Sequence, residues 1–303
     1  MTNLPSDLSP VVVQLLERHM ENAKEWFPHD FVPWSRGRDF TEGEAWDPNE
    51  VHISEAARAA LVVNLLTEDN LPYYFATLMG VRSWGPWAEW TRQWTAEEGR
   101  HAIVIRDYLT VTRSVDPVAL ERGRMQQVST GETPSFDAVA DALVYTTLQE
   151  LATRISHRNT GQLLDDPAGR AVMIRVAADE NLHHLFYRDI ASEALARHPS
   201  EMMISIDRVV REFAMPGTGI ENFSQYARLI AEAGVYDFSV HYNQILAPIV
   251  LQRWDVEHVE GLTGEAEEAR ERLITYVARI GKAASRLDAR RERAAEKAAA
   301  GDS

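Results

Sequence analysis

The sequence predicts an all-α protein whose centre is a four-helix bundle. Apolar residues recur at intervals of three and four along most of the chain, which is the spacing of the buried face of an α-helix. No stretch alternates apolar and polar residues in the way that a strand does. A Glu-x-x-His pair also occurs twice, as Glu98/His101 and as Glu180/His183. Together these observations predict long helices whose inward faces carry acidic residues and histidines.

The N-terminal segment is predicted to be one helix followed by a long loop. Ser9 and Pro10 are residue types preferred at the N-cap and at the first helical position, and the helix they begin would run to about Trp26. Residues 27–48 carry several prolines, glycines and aromatic residues. We therefore expect an ordered loop that is held against the core by its aromatic side chains.

The remaining helices are predicted from capping residues and helix breakers between the periodic stretches. They are expected to begin at Ser54, Gly85, residue 117, Ser135, Asp165, Pro199 and residues 222, 237 and 264. Pro72 is expected to kink the helix that carries Glu68. Because no linker divides the chain, we predict a single domain over residues 1–303, with a bundle core at about 54–195 and a helical extension at about 199–297.

The composition restricts the class of protein. The chain has 303 residues, of which 45% are hydrophobic and 25% charged, as in ordinary globular proteins. It has no run of about 18 apolar residues, so no membrane span is predicted. The lack of a signal-like start and of cysteine suits the cytoplasm, and the lack of cysteine excludes disulfides and iron–sulfur clusters. A net charge of -15 argues against general nucleic-acid binding.

Each Glu-x-x-His pair is preceded by a further glutamate 30 residues upstream, on an otherwise apolar helical stripe. The two halves of this pattern are offset by 82 residues, both for the glutamates and for the histidines. Four helices would thus supply the inward-facing ligand set of carboxylate-bridged di-iron and di-manganese bundles. The candidate ligands are Glu68, Glu98, His101, Glu150, Glu180 and His183.

Metal ions would compensate the charge of this set. An unpaired buried carboxylate is costly, and two divalent cations would balance the four carboxylates. Carboxylate and imidazole ligands suit Fe(II) or Mn(II), and the lack of thiolates argues against structural zinc. The competing interpretation is a set of buried salt bridges, and the matched offsets favour the metal site over it.

Other acidic residues and histidines offer alternatives to this set. Glu97 and His184 are adjacent to two of the candidates and could replace them, but only the chosen set gives both halves the same i,i+3 spacing. His157 lies two turns after Glu150, and its role stays open. The other histidines are expected at the surface or at helix caps, away from the site: His19, His29, His52, His198, His241 and His258.

With these ligands assigned, the chain resembles the soluble acyl-carrier-protein desaturases of plant plastids and some bacteria. The similar stretches are LTEDNLPYY (66–74), WTAEEGRH (94–101), YTTLQELATRISHRNT (145–160), AADENLHH (177–184), AMPG (214–217), GVYDF (234–238) and LQRWDVEHVEGLTGE (251–265). The resemblance covers nearly the whole chain and implies a ferritin-like fold. It also implies two iron ions on the same six ligands, with Glu98 and Glu180 bridging them.

The resemblance also implies a reaction and its partners. Members of this family use O2 and two electrons, usually from ferredoxin, to remove two hydrogens from neighbouring carbons of a saturated acyl chain. The products are a cis double bond and water. The acyl chain, attached to acyl carrier protein (ACP), would lie in a bent hydrophobic channel beside the irons. A homodimer is expected because relatives pair through bundle helices.

Three further residues acquire a role from the resemblance. Thr153 matches a threonine on the oxygen side of the site, although its hydroxyl could instead bond back to a helix carbonyl. Asp179 and Trp26 match an electron route, in which a carboxylate orients a ligand histidine and a tryptophan lies near the surface. The competing role for Trp26 is packing in the core.

One departure from the family leaves the carrier open. The stretch IDRVVREFAMP (206–216) is typically Lys-rich in relatives and helps to dock the acidic carrier, whereas here it carries Arg208, Arg211 and Glu212. ACP is the first expectation, and acyl-CoA stays an alternative. Two other functions also stay open: a related di-iron or manganese–iron oxidase acting on another fatty or apolar substrate, and a ferroxidase-like protein. The ferritin type is usually shorter and would leave the C-terminal helices unexplained.

Overall fold

The chain folds into helices joined by short connections. The computed structural model describes residues 3–301, except for 82, 137, 216 and 218. Within those residues no strand occurs, and the all-α prediction is confirmed. None of the described helices is both long and apolar enough to cross a membrane.

Four helices form the central bundle. They are α3 (Glu55–Glu68), α5 (Gly85–Val111), α7 (Val139–Leu163) and α8 (Pro167–Arg197). Helices α3 and α8 each pack against both α5 and α7. Every side chain from Ala140 to Thr153 of α7 is buried, because this helix has neighbours on all sides.

The capping residues explain where the bundle helices begin. Ser54 caps α3, as predicted, by accepting a hydrogen bond from the backbone N–H of Ala57. Helix α8 begins at Pro167, two residues after the predicted start, because the Asp166 side chain caps it by accepting a hydrogen bond from Ala168 N–H. Helix α7 begins at Val139 rather than at Ser135, because Ala138 has extended backbone dihedral angles.

The segment between α3 and α5 differs from the prediction. Helix α3 ends at Glu68, and a separate helix, α4 (Leu71–Val81), follows it. Pro72 therefore lies in the first turn of a new helix and does not kink an existing one. The break makes Glu68 the last residue of α3, where its side chain can turn into the bundle.

The N-terminal helix, α1 (Leu4–Asn22), begins and ends earlier than predicted. The side chain of Asn3 accepts a hydrogen bond from Ser6 N–H and caps it, so Pro10 lies inside the helix. Ala23 adopts an extended conformation, which ends the helix before Trp26. Helix α1 packs on α5 and α8 and so lies along one face of the bundle.

The loop after α1 contains the short helix α2 (Pro28–Phe31) and two 3₁₀ turns, Trp34–Arg36 and Pro48–Glu50. Trp34 and Phe40 are about half exposed, so the prediction that the aromatic residues hold this loop on the core is only partly correct. Arg113 supplies the missing anchor. Its guanidinium binds Glu44, and its backbone carbonyl accepts a hydrogen bond from the Trp46 indole.

The C-terminal part covers the outside of the bundle. It comprises α9 (Pro199–Glu212), α10 (Phe223–Glu232), α11 (Phe238–His241), a π-helical segment (Tyr242–Arg253) and α12 (Gly264–Gly301), while α6 (Pro117–Thr130) lies between α5 and α7 in the chain. Helix α9 packs between α7 and α12, whereas α10 lies against α3. Pro216, in the predicted break after α9, lies outside the described residues.

Candidate metal centre

The six candidate ligands meet in the middle of the bundle. Their ligand atoms form two groups, and within each group the atoms lie within 4.8 Å of one another. One group is Glu68, Glu98, His101 and Glu180; the other is Glu98, Glu150, Glu180 and His183. All of these residues are buried. Because Glu98 and Glu180 occur in both groups, they occupy the positions of bridging ligands.

The helix register explains this convergence. Residues three apart lie on the same face of an α-helix, so each Glu-x-x-His pair presents both side chains to the same region. Helices α5 and α8 pack against each other and bring the two pairs together. Glu68 at the end of α3 and Glu150 in the middle of α7 complete the two groups from opposite sides.

The imidazoles direct the same nitrogen toward the carboxylates. His101 Nδ1 lies 3.0 Å from Glu98 Oε2 and 3.3 Å from Glu180 Oε1. His183 Nδ1 lies 2.8 Å from Glu98 Oε1 and 3.6 Å from Glu150 Oε2. Both Nδ1 atoms are thus placed where a metal ligand would be needed, and both Nε2 atoms point away from the cluster.

Two buried atoms of the second group have no hydrogen-bond partner among the described residues. They are His183 Nδ1 and Glu150 Oε2. A buried polar atom without a partner costs about 1–3 kcal/mol. Both atoms face the centre of the group, and a bound cation would satisfy both at once.

The pKa values of the cluster indicate the same need for positive charge. Burial, reinforced by the charge of Glu180, raises the pKa of Glu98 and raises that of Glu150 well above its usual range. Burial alone would lower the pKa of His101 and His183, but Glu98 and the other carboxylates around each ring together outweigh it and raise both. The side chains therefore compete for protons that divalent cations would displace. The donor set fits two such cations.

The predicted outer residues lie beside the first group. Asp179 Oδ2 is 3.5 Å from His101 Nε2 and accepts a hydrogen bond of 2.7 Å from the Trp26 indole. Arg100 and Arg175 also bind the Asp179 carboxylate, and both guanidinium groups lie over the Trp26 ring. Trp26 is 5% exposed, so it is packed in the core as well as linked to Asp179.

Thr153 reaches both of the partners considered for it. Its Oγ1 lies 2.9 Å from Glu180 Oε2 and 3.1 Å from the backbone carbonyl of Glu150. The single hydroxyl hydrogen can be donated to either oxygen. Trp94 also touches the cluster, because its indole N–H donates to Glu150 Oε1 at 3.0 Å.

Two histidines lie closer to the site than the sequence indicated. His157 Nε2 is 3.0 Å from Glu68 Oε1, and although burial would lower its pKa, the Glu180 and Glu68 carboxylates raise it to about 9. His19 was expected at the surface, and that prediction is wrong. It is 4% exposed, and its Nε2 binds Glu97, which in turn binds His183 Nε2.

The sequence contains a pattern that relates Glu97 and Asp179, the carboxylates that bind the outer nitrogens of the two ligand histidines. Glu97 and Asp179 are 82 residues apart and each directly precedes a shared glutamate, so the repeat that predicts the ligands also relates these two carboxylates. No such signal predicts His19, because α1 lies outside the repeat. His184 donates to or accepts from no cluster residue; its Nδ1 bonds to the Thr147 carbonyl at 3.0 Å.

The described part of the chain forms a large groove and a smaller cavity, and of these two only the smaller cavity has cluster residues in its lining. A groove of about 900 Å³ lies between α3, α6 and α10, and its lining includes Tyr74 and Tyr145. Both tyrosines are buried, and burial together with nearby charges, including those of Glu150 and Glu68, raises the pKa of Tyr74.

A second cavity, of about 90 Å³, has a mostly apolar lining that includes Phe223 and Ile230. Its polar wall includes Glu68 and Thr153 of the cluster. Met215 lines both cavities, so the side chain of this residue separates the groove from the cavity beside the cluster.

The fold and the cluster define the chain as a helical bundle with a buried carboxylate–histidine site that fits metal ions. A sequence profile described as fatty acid desaturase matches residues 2–301. The chain therefore belongs to this fatty acid desaturase family, and the predicted family is confirmed.

Named relatives agree with this assignment. The chain is 40% identical over 298 residues to DesA1 of Mycobacterium tuberculosis, a protein named as an acyl-ACP desaturase, with 95% of this chain and 88% of DesA1 covered. It is 33% identical over 294 residues to the chloroplastic stearoyl-ACP 9-desaturase 6 of Arabidopsis thaliana, with 88% and 73% covered. The X-ray structure of DesA2 from M. tuberculosis matches with a TM-score of 0.71 at 27% identity, covering 85% of this chain and 98% of DesA2.

Proposed function

We propose that the protein is an O2-dependent acyl-ACP desaturase that holds two iron ions and introduces a cis double bond into a saturated fatty acyl chain. The observation that carries this proposal is the pair of buried ligand groups that share Glu98 and Glu180 beside a large groove. Family membership and the names of the relatives support the same reaction.

One ion would be held by Glu68 and His101, the other by Glu150 and His183, and both would share the two remaining glutamates. Iron bound there would supply the activation of O2 and the oxidation of the acyl chain. The protein's own contribution is positional. Its packed helices fix the ligands, and the burial of the cluster excludes bulk water from the reacting carbons.

The groove between α3, α6 and α10 is the proposed acyl site. Its volume of about 900 Å³ lies within the usual range of small-molecule sites, roughly 300–1,000 Å³. Leu66 and Leu120 give it apolar walls, and Met215 belongs to the lining of both the groove and the smaller cavity that includes Glu68. Thr153 would stand between the cluster and the smaller cavity, where its hydroxyl can orient the Glu180 carboxylate.

Electrons are proposed to enter on the side of Trp26. The indole, the Asp179 carboxylate and the His101 ring form a continuous buried chain toward the first ligand group. Arg100 and Arg175 give this entrance positive charge, which suits an acidic electron donor such as a ferredoxin.

The carrier, the assembly and the location are proposed from the family resemblance. ACP is the proposed carrier, in agreement with the names of the relatives. Arg208 and Arg211 bind Asp141 and Asp207 within the chain, so they are not the simple substitutes for the lysines typical of relatives. A homodimer in the cytoplasm is proposed as well, and light scattering coupled to size-exclusion chromatography would test the dimer.

The central experiment supplies the reaction with all of its components. Protein loaded with Fe(II) is incubated with O2, a reduced ferredoxin system, and stearoyl- or palmitoyl-ACP. Mass spectrometry of the acyl group then measures the loss of two hydrogens and the position of the double bond. We expect loss of two hydrogens at one position, with two irons bound per chain.

A matched pair of variants on α8 makes the result specific. Glu180→Gln removes a shared ligand and should abolish desaturation, whereas Glu193→Gln changes an exposed glutamate of the same helix and should leave it unchanged. If two irons bind but no acyl chain is oxidised, the desaturase is refuted in favour of another iron-dependent oxidase. If no iron binds, the metal centre itself is refuted.

A further inference from the structure

A chain of three buried side chains approaches the second ligand group from outside the bundle. His19 Nε2 lies 2.9 Å and 3.1 Å from the two oxygens of Glu97, and Glu97 Oε2 lies 2.8 Å from His183 Nε2. All three residues are at least nine-tenths buried. His183 belongs to the ligand set, whereas Glu97 and His19 do not.

The donors around Glu97 determine how the His183 ring is held. The side-chain N–H groups of His19, Gln93 and His183 converge on this one carboxylate. Because a carboxylate can only accept these bonds, His183 carries its hydrogen on Nε2. Its Nδ1 faces Glu98 and the centre of the ligand group, and is the nitrogen whose lone pair a bound cation would take in place of a proton.

The other half of the bundle achieves the same result with different residues. Asp179 occupies the position 82 residues after Glu97 and holds Nε2 of His101. There the carboxylate is fixed by Trp26 and two arginines, whereas Glu97 is fixed by His19 and a glutamine. The orienting carboxylates are thus repeated in the two halves, and the residues that hold them are not.

We propose that Glu97 is a positioning residue for His183, and that His19 fixes Glu97 so that α1 completes the second metal position. This inference rests on the proposed metal centre. The ring of His19 is stacked on that of His183 at 5.8 Å and edge-on to Trp90 at 5.0 Å, so it is held in place independently of Glu97. Helix α1 therefore acts on the metal through Glu97, without contributing a ligand.

Loss of such an outer partner typically weakens metal binding by about 10–100-fold. Glu97→Gln removes the negative charge at nearly constant shape and should weaken the ion beside His183 by that factor. Asp179→Asn should weaken the ion beside His101 instead. Since the two carboxylates serve different histidines, each variant should affect one ion of the two.

The experiment measures the anaerobic release of Fe(II) from the loaded protein to a coloured chelator, together with ⁵⁷Fe Mössbauer spectra. We expect Glu97→Gln to release one iron about 10–100-fold faster and to change one of two iron signals. His19→Leu should act in the same direction, whereas His19→Gln keeps an N–H donor and should restore slow release. His184→Gln is the control, because His184 is a buried histidine next to His183 that bonds only a backbone carbonyl.

The outcomes separate this inference from the proposed function. If the wild-type protein binds no iron, the metal centre and this inference both fail. If the wild type binds two irons and Glu97→Gln releases both at the wild-type rate, the metal centre stands and Glu97 has no positioning role. If His19→Leu and His19→Gln released iron at the same rate, the hydrogen-bonding role of His19 would be refuted. If His184→Gln accelerated iron release as much as His19→Leu, the effect of His19 would be one of general packing.

Discussion

Replacement of Glu150 by glutamine should stabilise the metal-free protein and reduce the stabilisation that bound iron provides. Glu150 is fully buried in α7, and its Oε1 accepts a hydrogen bond from Trp94. Its Oε2 has no hydrogen-bond partner among the described residues and lies 3.6 Å from His183 Nδ1. In Glu150→Gln the amide oxygen can keep the bond to Trp94, while the NH₂ group replaces the unpaired oxygen with a donor facing that nitrogen.

The magnitudes follow from this geometry. Removing an unsatisfied buried acceptor should recover about 1–3 kcal/mol in the metal-free protein. In the iron-bound protein the variant lacks a metal ligand. Loss of an outer partner already lowers metal affinity by roughly 10–100-fold, and loss of a ligand should lower it by at least as much. A factor of 10–100 corresponds to about 1.4–2.7 kcal/mol of metal-linked stability. The substitution should therefore raise the stability of the metal-free protein and lower, by at least this amount, the additional stability that iron provides.

The gain in the metal-free protein should depend on pH. The pKa of Glu150 is raised well above its ordinary 4.5, because it is buried and lies near Glu180. Below pH 4.5 the carboxyl group is protonated in both the folded and the unfolded chain, so it contributes nothing. As the pH rises above 4.5 the unfolded chain loses this proton first, and the wild-type folded state becomes less stable. The advantage of Glu150→Gln should therefore grow as the pH rises from about 4.5.

Urea unfolding followed by circular dichroism measures both effects, with and without Fe(II), at pH 5 and pH 7. Glu193→Gln on α8 is the control, since that exposed glutamate should change neither unfolding midpoint appreciably. A fall in the stability of metal-free Glu150→Gln would contradict the claim that an uncompensated carboxylate is strained in the cluster. If Fe(II) stabilised Glu150→Gln as much as it stabilises Glu193→Gln, the assignment of Glu150 as a ligand would be contradicted.

Three further outcomes are expected. Burial lowers the pKa of His184 to about 4, so wild-type stability should fall as the pH drops from 6.5 to 4, by up to about 3 kcal/mol, and urea unfolding of His184→Gln should show a smaller fall. Gly169→Ala places a Cβ 2.5 Å from the Tyr108 hydroxyl and should lower the free energy of unfolding by about 1–3 kcal/mol. Gly99→Ala meets nothing within 4 Å and should raise the free energy of unfolding by up to about 1 kcal/mol, as urea unfolding would measure. Thr153→Val should leave the fold intact and weaken iron retention, because it removes a donor to a shared glutamate; unchanged iron release would limit Thr153 to a bond with its own helix.

The convergence of the candidate ligands could be predicted because their positions are encoded locally. An i,i+3 spacing fixes Glu98 and His101 on one face of a helix before any tertiary packing is known. The 82-residue repeat then relates this helix to α8, and the apolar stripes indicate which faces turn inward. Local spacing thus specifies which side chains can meet, and the bundle only has to bring four such faces together.

The features that could not be predicted depend on packing between distant segments. His157 reaches Glu68 across two helices, 89 residues away in sequence. His19 reaches Glu97 only because α1 lies along α5 and α8, and no repeat or spacing relates it to the bundle. The loop after α1 is similar, since it is anchored by the distant Arg113, which binds Glu44 and accepts a hydrogen bond from the Trp46 indole. The local sequence around a histidine does not show whether its side chain will be exposed or will bind a carboxylate of a distant segment.

The unequal outer residues should make the two metal positions unequal, although their ligands are repeated. Glu97 lies 2.8 Å from His183 Nε2, whereas Asp179 lies 3.5 Å from His101 Nε2 and also binds two arginines. The arginines withdraw negative charge from Asp179, which makes it the weaker acceptor for its histidine. A less strongly polarised imidazole is a less basic ligand. It follows that the ion beside His101 should be released first from the wild-type protein. In Glu97→Gln the difference between the two release rates should become smaller, or the ion beside His183 should be released first.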